Sequence, residues 1–343
     1  MKWWLAGSKS PVFRLWIFSV FLFFSIFLAL SCGPSGILWQ QLWSGWSEFW
    51  SDPVMQAVMW DIRLPRVVLG ACVGAGLAVS GAVLQAFFRN PLADPGLIGI
   101  SSGAALGAVA FISLGGASWV ALGTFGLPLS AFISGMAATT LIYLVARSQG
   151  RVMAVTFLLC GIAVNAMLGA VMSYLIFLSD DRALRSITFW LMGSLGFASW
   201  KEVLAVLPLI LASLAAFPWL GKPLNLYLLG EVEAEQLGVH VARIKTMIII
   251  LSAACVGAGV AVAGMIGFIG LVVPHITRML LGADHRWVLP GSAILGAGIL
   301  IFADVLARTL LAPVELPLGI ITAVIGAPFF IWLIFKQQRK ILF

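Results

Sequence analysis

Long apolar runs, each closed by a short polar break, recur from one end of the chain to the other. A helix needs about 20 mostly apolar residues to cross the hydrocarbon core of a bilayer. On that scale ten spans are predicted, at 15–32, 65–87, 97–114, 126–146, 153–178, 202–219, 244–264, 268–282, 288–307 and 319–335. The eighth is short and carries Pro274. Segment 186–200 is apolar but interrupted by Gly193 and Gly196, and is read as a half-buried element outside the count. The pattern predicts an all-α membrane protein, residues 1–343 forming one transmembrane domain.

One motif occurs twice. Cys72-Val-Gly-Ala-Gly-Leu-Ala-Val-Ser-Gly81 returns as Cys255-Val-Gly-Ala-Gly-Val-Ala-Val-Ala-Gly264, and the same offset maps Pro91 onto Pro274 and Gly99 onto Gly282. The copies fall in spans 2 and 7, which run in opposite directions. An inverted internal repeat, spans 2–5 against spans 7–10, is therefore expected, an arrangement common among transporters. Gly70 and Gly74, Gly76 and Ser80, Gly257 and Ala261 are small residues four apart on one helix face, which predicts close backbone packing.

Composition removes the soluble alternatives. With 62% hydrophobic and 10% charged residues, and a mean hydropathy of +1.08, the chain lacks the roughly 25% charged residues of a water-exposed domain. The net charge of +7 reflects sidedness rather than nucleic-acid binding. With both termini cytoplasmic, Lys2, Lys9, Arg14, Arg89, Arg147, Arg151, Lys222, Arg243, Lys245, Arg278, Arg286, Lys336, Arg339 and Lys340 lie inside. Arg63, Arg66, Arg182, Arg185, Lys201 and Arg308 lie outside, a split that obeys the positive-inside rule. Cys32, Cys72, Cys160 and Cys255 form no CxxC pair and read as small core residues. Ala29-Leu30-Ser31-Cys32 loosely resembles a lipoprotein cleavage box, but the preceding run is long for a signal segment, so it is read as a retained first helix.

Candidate chemistry is sparse. The chain has no GxxxxGK[ST], so ATP would have to be bound by another subunit. HExxH and GxSxG are also absent, and His240, His275 and His285 lie near the cytoplasmic boundary. No resident metal or catalytic residue is expected. Asp304 is the one acid deep in an apolar run, four residues before Arg308, with which it could pair. Such scarcity of intramembrane charge argues against a lone ion-coupled carrier or an intramembrane enzyme. Arg63, Arg66 and Arg308 sit at external span ends, either snorkelling as interfacial anchors or receiving carboxylates from a docking protein. The loop 222–243 holds a short amphipathic stretch, Leu229 to Gly238, with Glu231, Glu233 and Glu235, which is either a solvated loop or a helix that docks on a partner.

These residues resemble the permease family of binding-protein-dependent ABC importers for iron–siderophores, haem and vitamin B12, the type II importers. The resemblance spans about 60–335. It rests on Arg63-Leu-Pro-Arg66, Gly81-Ala-Val-Leu-Gln85, Asn90-Pro-Leu-Ala-Asp-Pro-Gly-Leu-Ile-Gly99, Leu229-Gly…Gln236-Leu-Gly238, Gly267-Phe-Ile-Gly-Leu-Val-Val-Pro-His275, Asp284-His-Arg286, Asp304…Arg308 and Glu315-Leu-Pro-Leu-Gly319. It implies a ten-helix subunit of the bacterial inner membrane that homodimerises around a translocation path, with two ATP-binding subunits carrying ATP and Mg. It also implies that Arg63, Arg66 and Arg308 receive acidic residues of a periplasmic substrate-binding protein. Leu229, Gly230, Glu231, Glu233, Gln236, Leu237 and Gly238 would couple to the ATPase, and Asn90 would stand at the cytoplasmic gate. Ala154 and Val155 replace the gate hydroxyls of the vitamin B12 branch, whereas Leu184-Arg-Ser-Ile-Thr-Phe-Trp190 with Met192-Gly-Ser194 is similar to haem permeases. The expected cargo is a metal chelate, haem ahead of an iron–siderophore, with vitamin B12 as the alternative.

Overall fold

A computed structural model describes residues 10–33, 53–115, 123, 125–148 and 151–341. Of the charges used above for sidedness, Lys2 and Lys9 lie outside the described residues. The chain builds α1 Pro11–Ser31, α2 Leu64–Phe87, α3 Ile100–Leu114, α4 Gly126–Ala146, α5 Ala154–Phe177, α6 Asp181–Leu191 and α7 Trp200–Ala216. It continues with α8 Gly221–Tyr227, α9 Glu231–Gln236, α10 Val241–Ala263, α11 Ile269–Leu281, α12 His285–Thr309 and α13 Leu318–Ile341. Helical turns over Pro53–Ala57 and Val58–Arg63 lead into α2 without a break, and a 3-10 turn joins α7 to α8. A two-residue ribbon pairs Arg147–Ser148 with Arg151–Val152. Among the described residues, seven helical runs are long and apolar enough to cross a membrane, and Ile100–Leu114, Ile269–Leu281 and Leu318–Leu333 are shorter apolar helices. Together they occupy the ten predicted positions.

Burial sorts these helices. In α2 with its lead-in, 83% of the apolar window is buried inside the chain, against 17% in α1 and in α5. A helix that is apolar all round and covered by its neighbours is a core helix; one left uncovered must face lipid or another subunit. Helix α2 is that core. It packs on α12, α10, α11 and α7, while α1 lies along α12 and α3 along α4.

Glycine permits these contacts. A Cβ on Gly81 would stand 1.8 Å from the Gly270 carbonyl oxygen, and one on Gly74 would stand 2.4 Å from that of Gly296. Backbones at such range exclude every side chain, which is how helices gain packing energy where lipid offers no hydrophobic drive. The crossing at Gly81 has a polar counterpart. Pro274, inside α11, has no N–H to give the Gly270 carbonyl. Gln85 supplies the missing donor, its Nε2 lying 3.4 Å from Gly270 O and 3.2 Å from Leu271 O. Arg278 in turn donates to Gln85 Oε1.

The two copies of the repeated motif run antiparallel. Helix α2 starts at Leu64, after Arg63, and finishes beside Tyr227, whereas the first turns of α10, with Lys245, lie at that Tyr227 end and the helix stops where Gly264 meets Trp190 and Gly193. Gly99 and Gly282 share a left-handed φ, at 83° and 87°. The proline equivalence does not extend to local structure, since Pro91 lies in a turn and Pro274 in a helix. Segment 186–200 resolves into the last part of α6 and a non-helical link, because α6 already begins at Asp181, where Asp180 caps it by accepting from Ala183 N at 2.7 Å.

Candidate functional site

Charged side chains gather at the two ends of the bundle. At one end Arg66, in the first turn of α2, is gripped on two sides. Its Nη2 donates to Asp304 Oδ1 at 2.9 Å and its Nε to both Asp304 oxygens at 3.0 Å. Its Nη1 and Nη2 also reach the two oxygens of Glu315, each at 3.0 Å. The fork of a guanidinium suits such paired carboxylates. Arg308 Nε lies 3.6 Å from Asp304 Oδ2, the i,i+4 pair that the spacing predicted.

The other two arginines cap α1. The last turn of a helix leaves carbonyls without partners. Arg308 Nη2 donates to Ala29 O at 2.7 Å, and Arg63 Nη1 donates to Leu30 O. The positive charges also sit where the helix dipole is negative.

The sequence reading placed Arg63, Arg66 and Arg308 at the membrane surface, either in headgroups or open to a partner. The structure brings the three together but buries them, at 4%, 7% and 3% exposure. Carboxylates and carbonyls of the same chain already occupy them. The exposed member of the cluster is Glu315, whose side chain is 36% accessible. Beside it a cavity of about 850 Å³ opens between α6, the end of α10 and residues 315–317. Arg185, Trp190, Phe197, Glu202 and Glu315 line it, mixing aromatic faces with charges of both signs.

The opposite end carries α9. Gly230, with φ 152°, turns the chain out of α8, and Glu231 begins the helix. Leu229, Val232 and Leu237 project outward at 66%, 64% and 59% exposure, while Ala234 is buried against Tyr227 and Val241. Glu233, Gln236 and Gly238 are exposed on the same short helix and its exit. The Glu231 side chain is 44% accessible. It turns back into the bundle, and Lys245 Nζ meets both its oxygens at 2.7 Å. A six-residue helix has too few turns for its sequence to say which acid points inward.

Asn90 closes the turn after α2: its Oδ1 accepts from Leu92 N at 2.9 Å, and the residue is exposed. Asn165, midway along α5, is a polar residue that the sequence analysis did not single out. Its Nδ2 donates to Gly96 O at 3.2 Å, holding the 3-10 turn Pro95–Ile98 against α5. A polar side chain in an apolar run was the available signal. Outside the spans, the Arg286 side chain holds the Asp284 carboxyl below the usual carboxylate range, and Asn225 adds a hydrogen bond at 2.7 Å. Among the described residues, no three His, Cys, Asp or Glu side chains converge as metal ligands would.

Residues 21–336 match the FecCD transport family. The chain belongs to that family. It is 46% identical over 334 residues to the hemin transport system permease protein of Yersinia pestis, covering 97% of this chain and 98% of that one. It is 41% identical over 299 residues to the vitamin B12 import system permease protein of Escherichia coli, covering 84% and 87%. Among solved structures, a protein described as a metal-chelate type ABC transporter, in an inward-facing conformation, superposes with a TM-score of 0.83 at 36% identity, covering 94% of this chain and 99% of that one. As a FecCD transport protein with ten apolar helices among its described residues, the chain is a multi-pass membrane permease.

Proposed function

We propose that this chain is the membrane-spanning subunit of an ATP-driven importer for a metal chelate, with haem as cargo. The observation that carries the reading is the match along nearly the whole chain to a hemin permease, at 46% identity. The unit is a homodimer in the bacterial inner membrane, served by two ATP-binding subunits and a periplasmic substrate-binding protein. Both termini are cytoplasmic, so the Arg66 end faces the periplasm and α9 faces the ATPase. Apolar Leu229, Val232 and Leu237 on α9 offer the ATPase a small knob to seat in a cleft, as an amphipathic helix does in a groove. Glu233, Gln236 and Gly238 complete that contact, and Asn90 stands at the cytoplasmic mouth of the path. At the periplasmic end Arg63, Arg66 and Arg308 supply a positive field, and a binding-protein carboxylate reaches Arg66 by displacing Glu315.

Haem is favoured over a corrinoid by the cavity wall on α6 and the link that follows it. Trp190 and Phe197 provide faces for a flat ring, and Arg185 a partner for an anionic edge. The test is the cognate binding protein: purified from cells, it should carry a Soret band. A corrinoid spectrum would replace haem with vitamin B12 and leave the importer reading intact.

A further inference from the structure

The elements around Glu231 form a joint that neither the exposed knobs of α9 nor the cavity explains. Lys245 lies one turn into α10 and is 4% exposed. Its Nζ donates to both Glu231 oxygens at 2.7 Å and to Val152 O at 2.9 Å. Val152 is two residues ahead of α5, so one ammonium ties α9 to α10 and to the root of α5. Tyr227, 1% exposed, is the second tie. Its hydroxyl donates to Phe87 O at 3.1 Å, at the end of α2, and lies 3.4 Å from Glu231 Oε1. Arg89 donates to Tyr227 O at 2.8 Å and stacks over its ring at 4.8 Å. The apolar anchor of α9 is small, Ala234 against Tyr227 and Val241.

We propose that Glu231 and Lys245 are positioning residues which fix α9 rigidly to α10 and α5, so that a displacement of α9 moves both helices. The proposal rests on the importer reading for what displaces α9, but the joint itself is a property of this chain. Its logic is that of a buried ammonium, since Lys245 is enclosed while the Glu231 side chain stays 44% accessible. An ammonium with three donors, all engaged by oxygens from two other elements, has no lower-energy place to go when one element shifts. Motion of α9 is then shared with the helices that Lys245 holds. An acid that made no contact with Lys245 would let α9 slide.

The test uses Glu231→Gln, Lys245→Met and the double variant, with Lys245→Arg as the conservative control. In the reconstituted complex the ATP-binding subunits should still co-purify, since the apolar knobs Leu229, Val232 and Leu237 are untouched. Haem moved per ATP hydrolysed should fall between about twofold and thirtyfold, the range that mutations on a coupling network produce. The double variant should be no worse than either single one, because the pair acts as a unit, and Lys245→Arg should restore much of the ratio. A second measurement needs no partner. A nitroxide at Val232→Cys, with the four native cysteines replaced by alanine, should be more mobile in Lys245→Met than with Lys245 present. Loss of ATPase association in Glu231→Gln alone, with Lys245→Met normal, would make Glu231 a partner contact and overturn the proposal. Unchanged label mobility would overturn it too. A wild-type complex that neither assembles nor transports would sink the importer reading and leave the mobility result to judge the joint.

Discussion

Arg66 has two carboxylates and Glu231 has one ammonium; the first arrangement joins residues far apart in the chain, the second residues 14 apart. Asp304 is 238 residues from Arg66 and Glu315 is 249 residues away. Removing one partner of a buried pair leaves an uncompensated charge, which costs about 3–5 kcal/mol. Arg66→Ala should therefore lower the unfolding midpoint in detergent sharply, and Arg66→Ala with Asp304→Ala should recover part of the loss. Equal destabilisation in the single and double variants would mean that the pair is not the cause. Glu315→Gln acts differently. Its side chain is partly exposed, and losing its charge frees Arg66 for a partner's carboxylate. Binding-protein affinity should rise, most at low salt where exposed charges are least screened; titration in 20 mM and 300 mM salt (about a fourfold change in Debye length) reads this directly. Weaker docking would show that Glu315 itself contacts the binding protein. Of these residues, only the Asp304–Arg308 pair was legible in sequence, because its spacing is local. The long-range partners of Arg66 and the inward turn of Glu231 depend on which helices meet, and that is set by packing.

At the scale of elements, the apolar runs told almost everything, since a span must satisfy its own backbone and so keeps one long pattern. The predicted boundaries sit within a few residues of α1 through α5, and α10 through α12 are similarly placed. Misplacement came where the run is amphipathic: α6 is a surface helix whose start is fixed by the Asp180 cap and whose end is broken before Gly193. The glycines of the repeated motif separate two duties that the sequence shows alike. Gly81 closes on the Gly270 carbonyl, whereas a Cβ on Gly259 would meet Val73 at 3.4 Å, an ordinary contact. Gly81→Ala should thus cost at least the roughly 1–3 kcal/mol typical of overpacking. Gly259→Ala should be near neutral or stabilising, by up to about 1 kcal/mol of helix propensity. Thermal unfolding of the two variants side by side tests the crossing geometry; a tolerated Gly81→Ala would refute it.

For the whole molecule, the antiparallel pair α2 and α10 puts the Arg66 cluster and α9 at opposite ends. A transporter needs that separation. In the proposed importer one end receives cargo and the other the motor, with the buried core α2, α10 and α12 between them. The chain holds no P-loop, and the proposed importer draws its energy from separate ATP-binding subunits. Proteoliposomes test this most directly. With the ATP-binding subunits and the haem-loaded binding protein present, haem should accumulate inside only when ATP is supplied on the α9 side. Accumulation by vesicles holding this chain alone, driven by a proton or sodium gradient, would contradict the account.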